Sequence, residues 1–131
     1  MNYNSYIADV VNRINAGNRN RVRTVKLNIN KKTMEVLYIF LELGLIRGYK
    51  MQSNNEIWVS LRFHGGSHIF NRISLVSKPS KRIYWNMSQL YKEIDKNNAV
   101  IYLISTKEGI LIGSDCIWRA LTGEVLIKIV F

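Results

Sequence analysis

Ile7, Val10, Val11 and Ile14 recur at the three- and four-residue spacing of one helical stripe. They predict a short first helix, capped by Asn4 or Ser5 and ended by Gly17 and Asn18. The period then changes to two. Val25, Leu27 and Ile29 alternate with Lys26 and Asn28, as in a strand with one buried face. Asn30 stands where it would cap a second helix running to about Leu43 and closed by Gly44. That helix is apolar on nearly every side, which predicts burial between the sheet and the first helix, or contact with a partner. After Gly48, Tyr49-Lys50-Met51 reads as a strand and Ser53-Asn54-Asn55 as a hairpin turn. Ile57, Val59, Leu61 and Phe63 then face one way, while Trp58, Ser60 and Arg62 face the other.

Gly and Ser concentrate in His64-Gly65-Gly66-Ser67-His68, which predicts a boundary between two lobes, 1–66 and 67–131. Beyond it the pattern gives strands near 69–76, 82–85, 99–104 and 125–131, a short helix at 88–96 and a helical turn at 114–120. The expected fold is therefore α/β of the α+β kind: an N-terminal α-β-α-β-β lobe and a mostly β C-terminal lobe with a short helix.

With 131 residues and 47% apolar content, the chain can bury a core, which argues against a disordered tail. The longest apolar stretch, 34–46, is too short to span a bilayer and contains Glu35 and Glu42. An amphipathic pattern that begins by Ile7 leaves no signal-peptide pattern ahead of it. The net charge changes the picture more. Nineteen Lys and Arg against nine Asp and Glu give +10, a field that attracts polyanions, with nucleic acid the first expectation and an anionic membrane surface the competitor.

The cations are unevenly placed. Arg13, Arg19, Arg21, Arg23, Lys26, Lys31 and Lys32 lie in one stretch without an acid, and Arg62, Arg72, Lys78, Lys81, Arg82 and Lys92 in another. Each is either an ordinary solvated face or a surface for phosphates, and ordinary surfaces mix signs.

Most candidate chemistry fails. Cys116 is the only cysteine, so no internal disulfide or Cys-based zinc site forms, and a reducing compartment fits best. Asp115 beside it raises a thiol pKa, which favours a small buried residue over a nucleophile. His64 and His68 have a zinc-like spacing, yet two glycines separate them and no third ligand cluster accompanies them, so the reading is surface histidines and no metal. No acid/base pair, P-loop or GxGxxG stands out, and neither a cofactor nor an enzymatic activity is expected.

Two segments suit RNA. Ser77-Lys78-Pro79-Ser80-Lys81-Arg82-Ile83-Tyr84 combines a proline turn, three cations and a tyrosine. Tyr84 either packs on a ribose or base or belongs to the core beneath a basic hairpin. In Ser105-Thr106-Lys107-Glu108-Gly109 a strand ends in two hydroxyls, which can address 2′-OH groups and base edges in the shallow minor groove of A-form RNA. The same pattern also describes ordinary loops. As an RNA contact, Ser105 and Thr106 are expected to serve binding with little effect on stability.

These blocks resemble the family of small-subunit ribosomal protein eight, the S-eight family. The resemblance lies in Ile104-Ser105-Thr106-Lys107-Glu108-Gly109-Ile110 followed by Gly123-Glu124-Val125-Leu126 at the family's spacing, and in the Ser77 to Tyr84 block. Ile7-Ala8-Asp9 with Arg13-Ile14 is similar to the family's first helix, and Gly44 with Ile46 to the end of its second. It implies a two-lobe protein, without enzymatic activity, that binds a helix of the central domain of small-subunit rRNA early in assembly beside other small-subunit ribosomal proteins. It also implies that Ser105, Thr106 and Lys107 enter the minor groove, with Tyr84 and Glu124 beside them and Lys78 and Arg82 in the same surface. Lys31 would add a backbone contact from the N-terminal lobe. Position 80 is Ser where the family usually has Gly, Lys107 replaces a third hydroxyl, Asn97-Asn98 replace glycines, and Thr122 replaces the usual Gly before Gly123. This divergence, with abundant Asn, Ile, Lys and Tyr, points to a mitochondrial protein, with plastid or bacterial cytoplasm as alternatives. A free RNA chaperone or translational regulator is the alternative function.

Overall fold

The stripe of Ile7, Val10, Val11 and Ile14 is buried along one side of α1 (Tyr3–Asn20) in the computed structural model. The structure describes residues 3–28, 30–65, 67–96 and 99–131. Two units divide the chain, Met1–Phe70 and Asn71–Phe131.

α1 is longer at both ends than the stripe suggests. It begins at Tyr3, so Asn4 and Ser5 fall inside its first turn rather than at a cap; their side chains lie outside the described residues, as does Ile29. Gly17 and Asn18 do not end the helix. A Cβ on Gly17 would come within 2.7 Å of both Leu61 Cδ1 and Val25 Cγ2, so this glycine lets the helix press on the sheet. Asn18 is buried and its Nδ2 donates to the Phe70 carbonyl at 3.2 Å. The stop comes at Arg21, in the left-handed region at φ 56, with Val22 N–H donating back to the Gly17 carbonyl at 2.9 Å.

The first unit continues with β1 (Thr24–Asn28), α2 (Lys31–Glu42), β2 (Ile46–Met51) and β3 (Glu56–Leu61). Asn30 caps α2 as its sequence position predicts: its Oδ1 accepts from Thr33 N–H at 3.1 Å, while its own N–H donates to Thr33 Oγ1 at 2.8 Å. Gly44 closes the helix at φ 76. Only one face of α2 is covered. Thr33, Val36, Leu37 and Phe40 are buried, whereas Tyr38 and Leu41 remain exposed. The sheet has the order β1-β3-β2, all antiparallel, and its inner face carries Leu27, Ile57, Val59 and Leu61. In β2 the register slips between Ile46 and Gly48, leaving Arg47 as an extra residue. The segment around Gly65 forms a small hairpin of β4 (Phe63–His64) and β5 (Ser67–His68); Gly66, at the expected lobe boundary, lies outside the described residues.

The second unit comprises β6 (Arg72–Leu75), α3 (Met87–Lys96), β7 (Val100–Thr106), β8 (Gly109–Ile112), α4 (Gly113–Arg119) and β9 (Glu124–Val130). Its sheet has the order β6-β9-β7-β8 and is antiparallel throughout. Leu90 of α3 and Cys116 of α4 pack with Tyr102, Ile104 and Val125 in its core. At the start of α3, Asn86 N–H donates to Gln89 Oε1 at 3.0 Å and Gln89 N–H donates to Asn86 Oδ1 at 2.9 Å. α4 ends on Ala120, in the left-handed region at φ 55, ψ 42. The strand expected at 82–85 is not one, because only Tyr84 pairs there, with Glu124. β8 is an addition to the expected elements. The architecture is α+β.

Candidate nucleic-acid interface

β7 and β8 form a hairpin with Lys107 and Glu108 at its tip and Thr106 opposite Gly109. Gly109 takes φ 108, which glycine adopts at little cost. Thr106 closes the turn from inside. Its hydroxyl donates to the Gly109 carbonyl at 2.8 Å and accepts from Glu108 N–H at 3.2 Å. With its proton engaged, Thr106 Oγ1 can address a ligand only as an acceptor. Ser105 differs: its half-buried hydroxyl has no partner among the described residues, so it can both donate and accept.

β9 brings the second block against this hairpin. Ser105 is paired with Glu124, and on the other side of Glu124 stands Tyr84. The bonds Val125 N–H to Ile83 carbonyl at 2.9 Å and Trp85 N–H to Gly123 carbonyl at 3.4 Å hold the segment 83–85 alongside. Thr122 Oγ1 donates to the Trp85 carbonyl as well. Ser105, Glu124 and Tyr84 therefore form one row across the sheet. Tyr84 is 62% exposed, which removes it from the core and leaves its ring and hydroxyl facing solvent. Beneath it Trp85 meets Tyr102 edge to face, with ring centroids 4.8 Å apart.

The basic turn is fixed by a buried serine. Ser77 Oγ accepts from Ile83 N–H at 2.9 Å and donates to the Ile83 carbonyl at 3.3 Å. Lys78 and Lys81 exchange backbone bonds of 3.0 Å around Pro79 and Ser80. Ser80 avoids the left-handed region, so the turn accepts serine without strain. Lys78, Lys81 and Arg82 all project into solvent. Arg82 Nη1 lies 3.5 Å from Glu124 Oε1, and the Glu124 side chain is only 7% exposed. This turn supplies most of the positive charge, because the hairpin tip sets Lys107 beside the acid Glu108.

The whole chain bears a family resemblance that this geometry makes physical. The family model described as Ribosomal protein S8 matches residues 5–130. The chain belongs to the ribosomal protein S8 family. It is 31% identical over 126 residues to small ribosomal subunit protein uS8 of Mycoplasmoides gallisepticum, covering 92% of this chain and 93% of that protein. Identity is 28% over 133 residues to uS8 of Rhodospirillum centenum, covering 98% and 99%. Small ribosomal subunit protein uS8m of Acanthamoeba castellanii is 26% identical over 125 residues, covering 95% and 98%.

Within this S8 chain, the second unit gathers Ser105, Thr106, Lys107, Tyr84, Glu124, Lys78 and Arg82 from two turns joined through β9. Lys31 belongs to the other unit, exposed at the start of α2. Cys116 is fully buried, and its thiol pKa is pushed up to about 11 by burial and then by Asp115, partly opposed by Arg119. The side chains of His64 and His68 lie outside the described residues. Among the described residues no three potential ligands gather as a metal site, and no helix is long and apolar enough to cross a membrane. Sequence reasoning missed Trp118, 90% exposed on α4. A helix of seven residues is too short for its pattern to signal that its one aromatic is left outside.

Proposed function

We propose that this S8 chain is a structural constituent of the small ribosomal subunit that binds a helix of the central domain of small-subunit rRNA and supports its assembly. It acts by binding and not by catalysis. The observation that carries the reading is the row Ser105–Glu124–Tyr84, an unengaged hydroxyl and an exposed ring held on one sheet beside the basic turn 78–82. A wide, shallow A-form minor groove presents 2′-OH groups and base edges, which Ser105 can address in both senses and Thr106 as an acceptor. The Tyr84 ring stacks or packs on a ribose. Lys78, Arg82 and Lys107 take phosphates, and Lys31 adds a contact from the first unit. Glu124 acts as a positioning residue, since it stands between β7 and the segment 83–85 and its buried carboxylate faces Arg82. The ribosome is that of a mitochondrion, a reading supported by the similarity to uS8m and by the composition. Neighbouring small-subunit proteins are its other partners.

Sedimentation of the tagged chain at moderate salt tests this. Stable co-migration with small ribosomal subunits is the expected result, and a chain that runs free of them overturns the reading.

A further inference from the structure

Three arginines line one cleft of the first unit, and none of them is among the residues assigned above. Arg23, Arg47 and Arg62 line one cleft of about 650 Å³ with Thr24, Ser60, Leu61 and Phe63. The way the sheet assembles them is specific. Arg23 leads into β1, its carbonyl accepting from Leu61 N–H at 2.9 Å, and Thr24 stands opposite Ser60. Arg62 follows the end of β3 and its Nη1 approaches the Gly44 carbonyl at 3.5 Å. Arg47 is the extra residue of the β2 bulge: Ile46 pairs with Leu61 and Gly48 with Ser60, so the slip aims Arg47 at the same end of the sheet.

No acid lines the cleft, and among the described residues no carboxylate pairs with any of the three guanidiniums. All three are exposed. With three cationic side chains lining the cleft and no carboxylate among its lining residues, an anionic ligand entering it meets net attraction. The set is arginine alone, whose planar fork matches phosphate oxygens in pairs, with two hydroxyl residues beside it.

We propose that this cleft is a second, sequence-independent nucleic-acid site that grips the phosphodiester backbone of RNA. It goes beyond the contact proposed for the second unit and shares no residue with it.

The test uses the full chain and a short RNA duplex of arbitrary sequence, which lacks the rRNA hairpin. Affinity is measured by anisotropy across a salt series. Replacing Arg23, Arg47 and Arg62 together by Gln is expected to make the log–log salt slope shallower by about 2, given about 0.7–0.9 per phosphate neutralised. A control with the same loss of charge, Arg19, Lys32 and Lys50 to Gln, is expected to change it by less than about 1. Arg47→Gln alone, on an exposed bulge, gives a slope change of about 0.7–0.9 even where the triple variant does not fold. Equal effects of the triple variant and its control overturn the proposal, reducing the cleft to general charge. So does unchanged RNA binding with loss of binding to an oligoglutamate peptide, which would make the cleft a dock for an acidic protein segment. Tyr84→Ala, read against the rRNA hairpin, reports separately on the second unit, so either site can fail while the other stands.

Discussion

Gly123 lies so close to Ser105 that a Cβ on the glycine would come to 1.9 Å from the Ser105 carbonyl oxygen. No side chain fits that gap, and the obstacle is backbone, which cannot swing aside as a side-chain tip would. This contact fixes where the β7–β8 hairpin sits relative to Glu124 and the segment 83–85. Gly123→Ala should therefore force the two strands apart, with a loss of about 2 kcal/mol or more in chemical denaturation. Binding of the rRNA hairpin should fall with it. Unchanged stability would mean that the two strands are free to separate.

The two hydroxyls of the turn should separate in their effects. The sequence suggested that Ser105 and Thr106 both serve binding alone, but the Thr106 hydroxyl ties the turn together through Gly109 and Glu108. Thr106→Ala should cost about 1 kcal/mol of stability as well as affinity, and Thr106→Ser should restore most of both. Ser105→Ala should weaken hairpin binding by about 1 kcal/mol while the melting curve of the free protein stays in place. Parallel melting curves for Thr106→Ala and the parent would refute the division of labour.

Tyr84 gives a sharper measure of contact. Its exposed ring supports no core packing, so Tyr84→Ala should leave folding intact. If the ring stacks on a base, hairpin affinity should drop by about 1–3 kcal/mol, with Tyr84→Phe retaining the larger share. Equal losses for Phe and Ala would assign the contribution to the hydroxyl.

Cys116 predicts a pH dependence. Its folded-state pKa is raised from 9.0 to about 11, so the folded protein holds this proton more tightly than the unfolded chain. The stabilisation is present below pH 9 and declines as pH rises towards about 11. Tyr102 is also raised, by burial and by Glu93, and adds to the same alkaline loss. Comparing denaturation against pH for the parent and Cys116→Ala isolates the thiol, and the variant should show the shallower decline. At neutral pH the buried thiol should react with disulfide reagents only as fast as the protein opens.

At the end of α4, Ala120 occupies left-handed backbone that glycine tolerates best. Ala120→Gly should raise stability by about 0.5 kcal/mol, relief of the Cβ clash outweighing the added entropy of the unfolded chain. A lowered melting temperature would show that the cap holds its angle without strain.

Much of this was legible along the chain, and the exceptions have physical reasons. The stripe of α1, the Asn30 cap and the alternation of β3 are local patterns, so the residues announce them. Gly17 and Asn18 mimic a helix stop because the same residue types also serve close packing and a buried side-chain bond, and only the neighbours Leu61, Val25 and Phe70 tell the two apart. Residues 82–85 alternate exposed and half-buried as a strand does, yet only Tyr84 finds a ladder partner. β8 escapes notice because Ile110-Leu111-Ile112 has no alternation. For the interface, the blocks and their family spacing were visible, while the row they form depends on β9 pairing with both sides. Arg47 was invisible as a ligand because one unpaired residue in β2 decides where it points.

The strand order β6-β9-β7-β8 also carries a consequence for synthesis. β9 is central in its sheet but follows every other strand in the chain, and β6 has no other strand beside it. While translation proceeds, the first unit has all its strands before the second has a usable scaffold. Glu124 and its two flanking residues meet only when β9 leaves the exit tunnel. The row of the proposed rRNA contact is thus the last part of its sheet that can form, because every other strand of that sheet is made before β9.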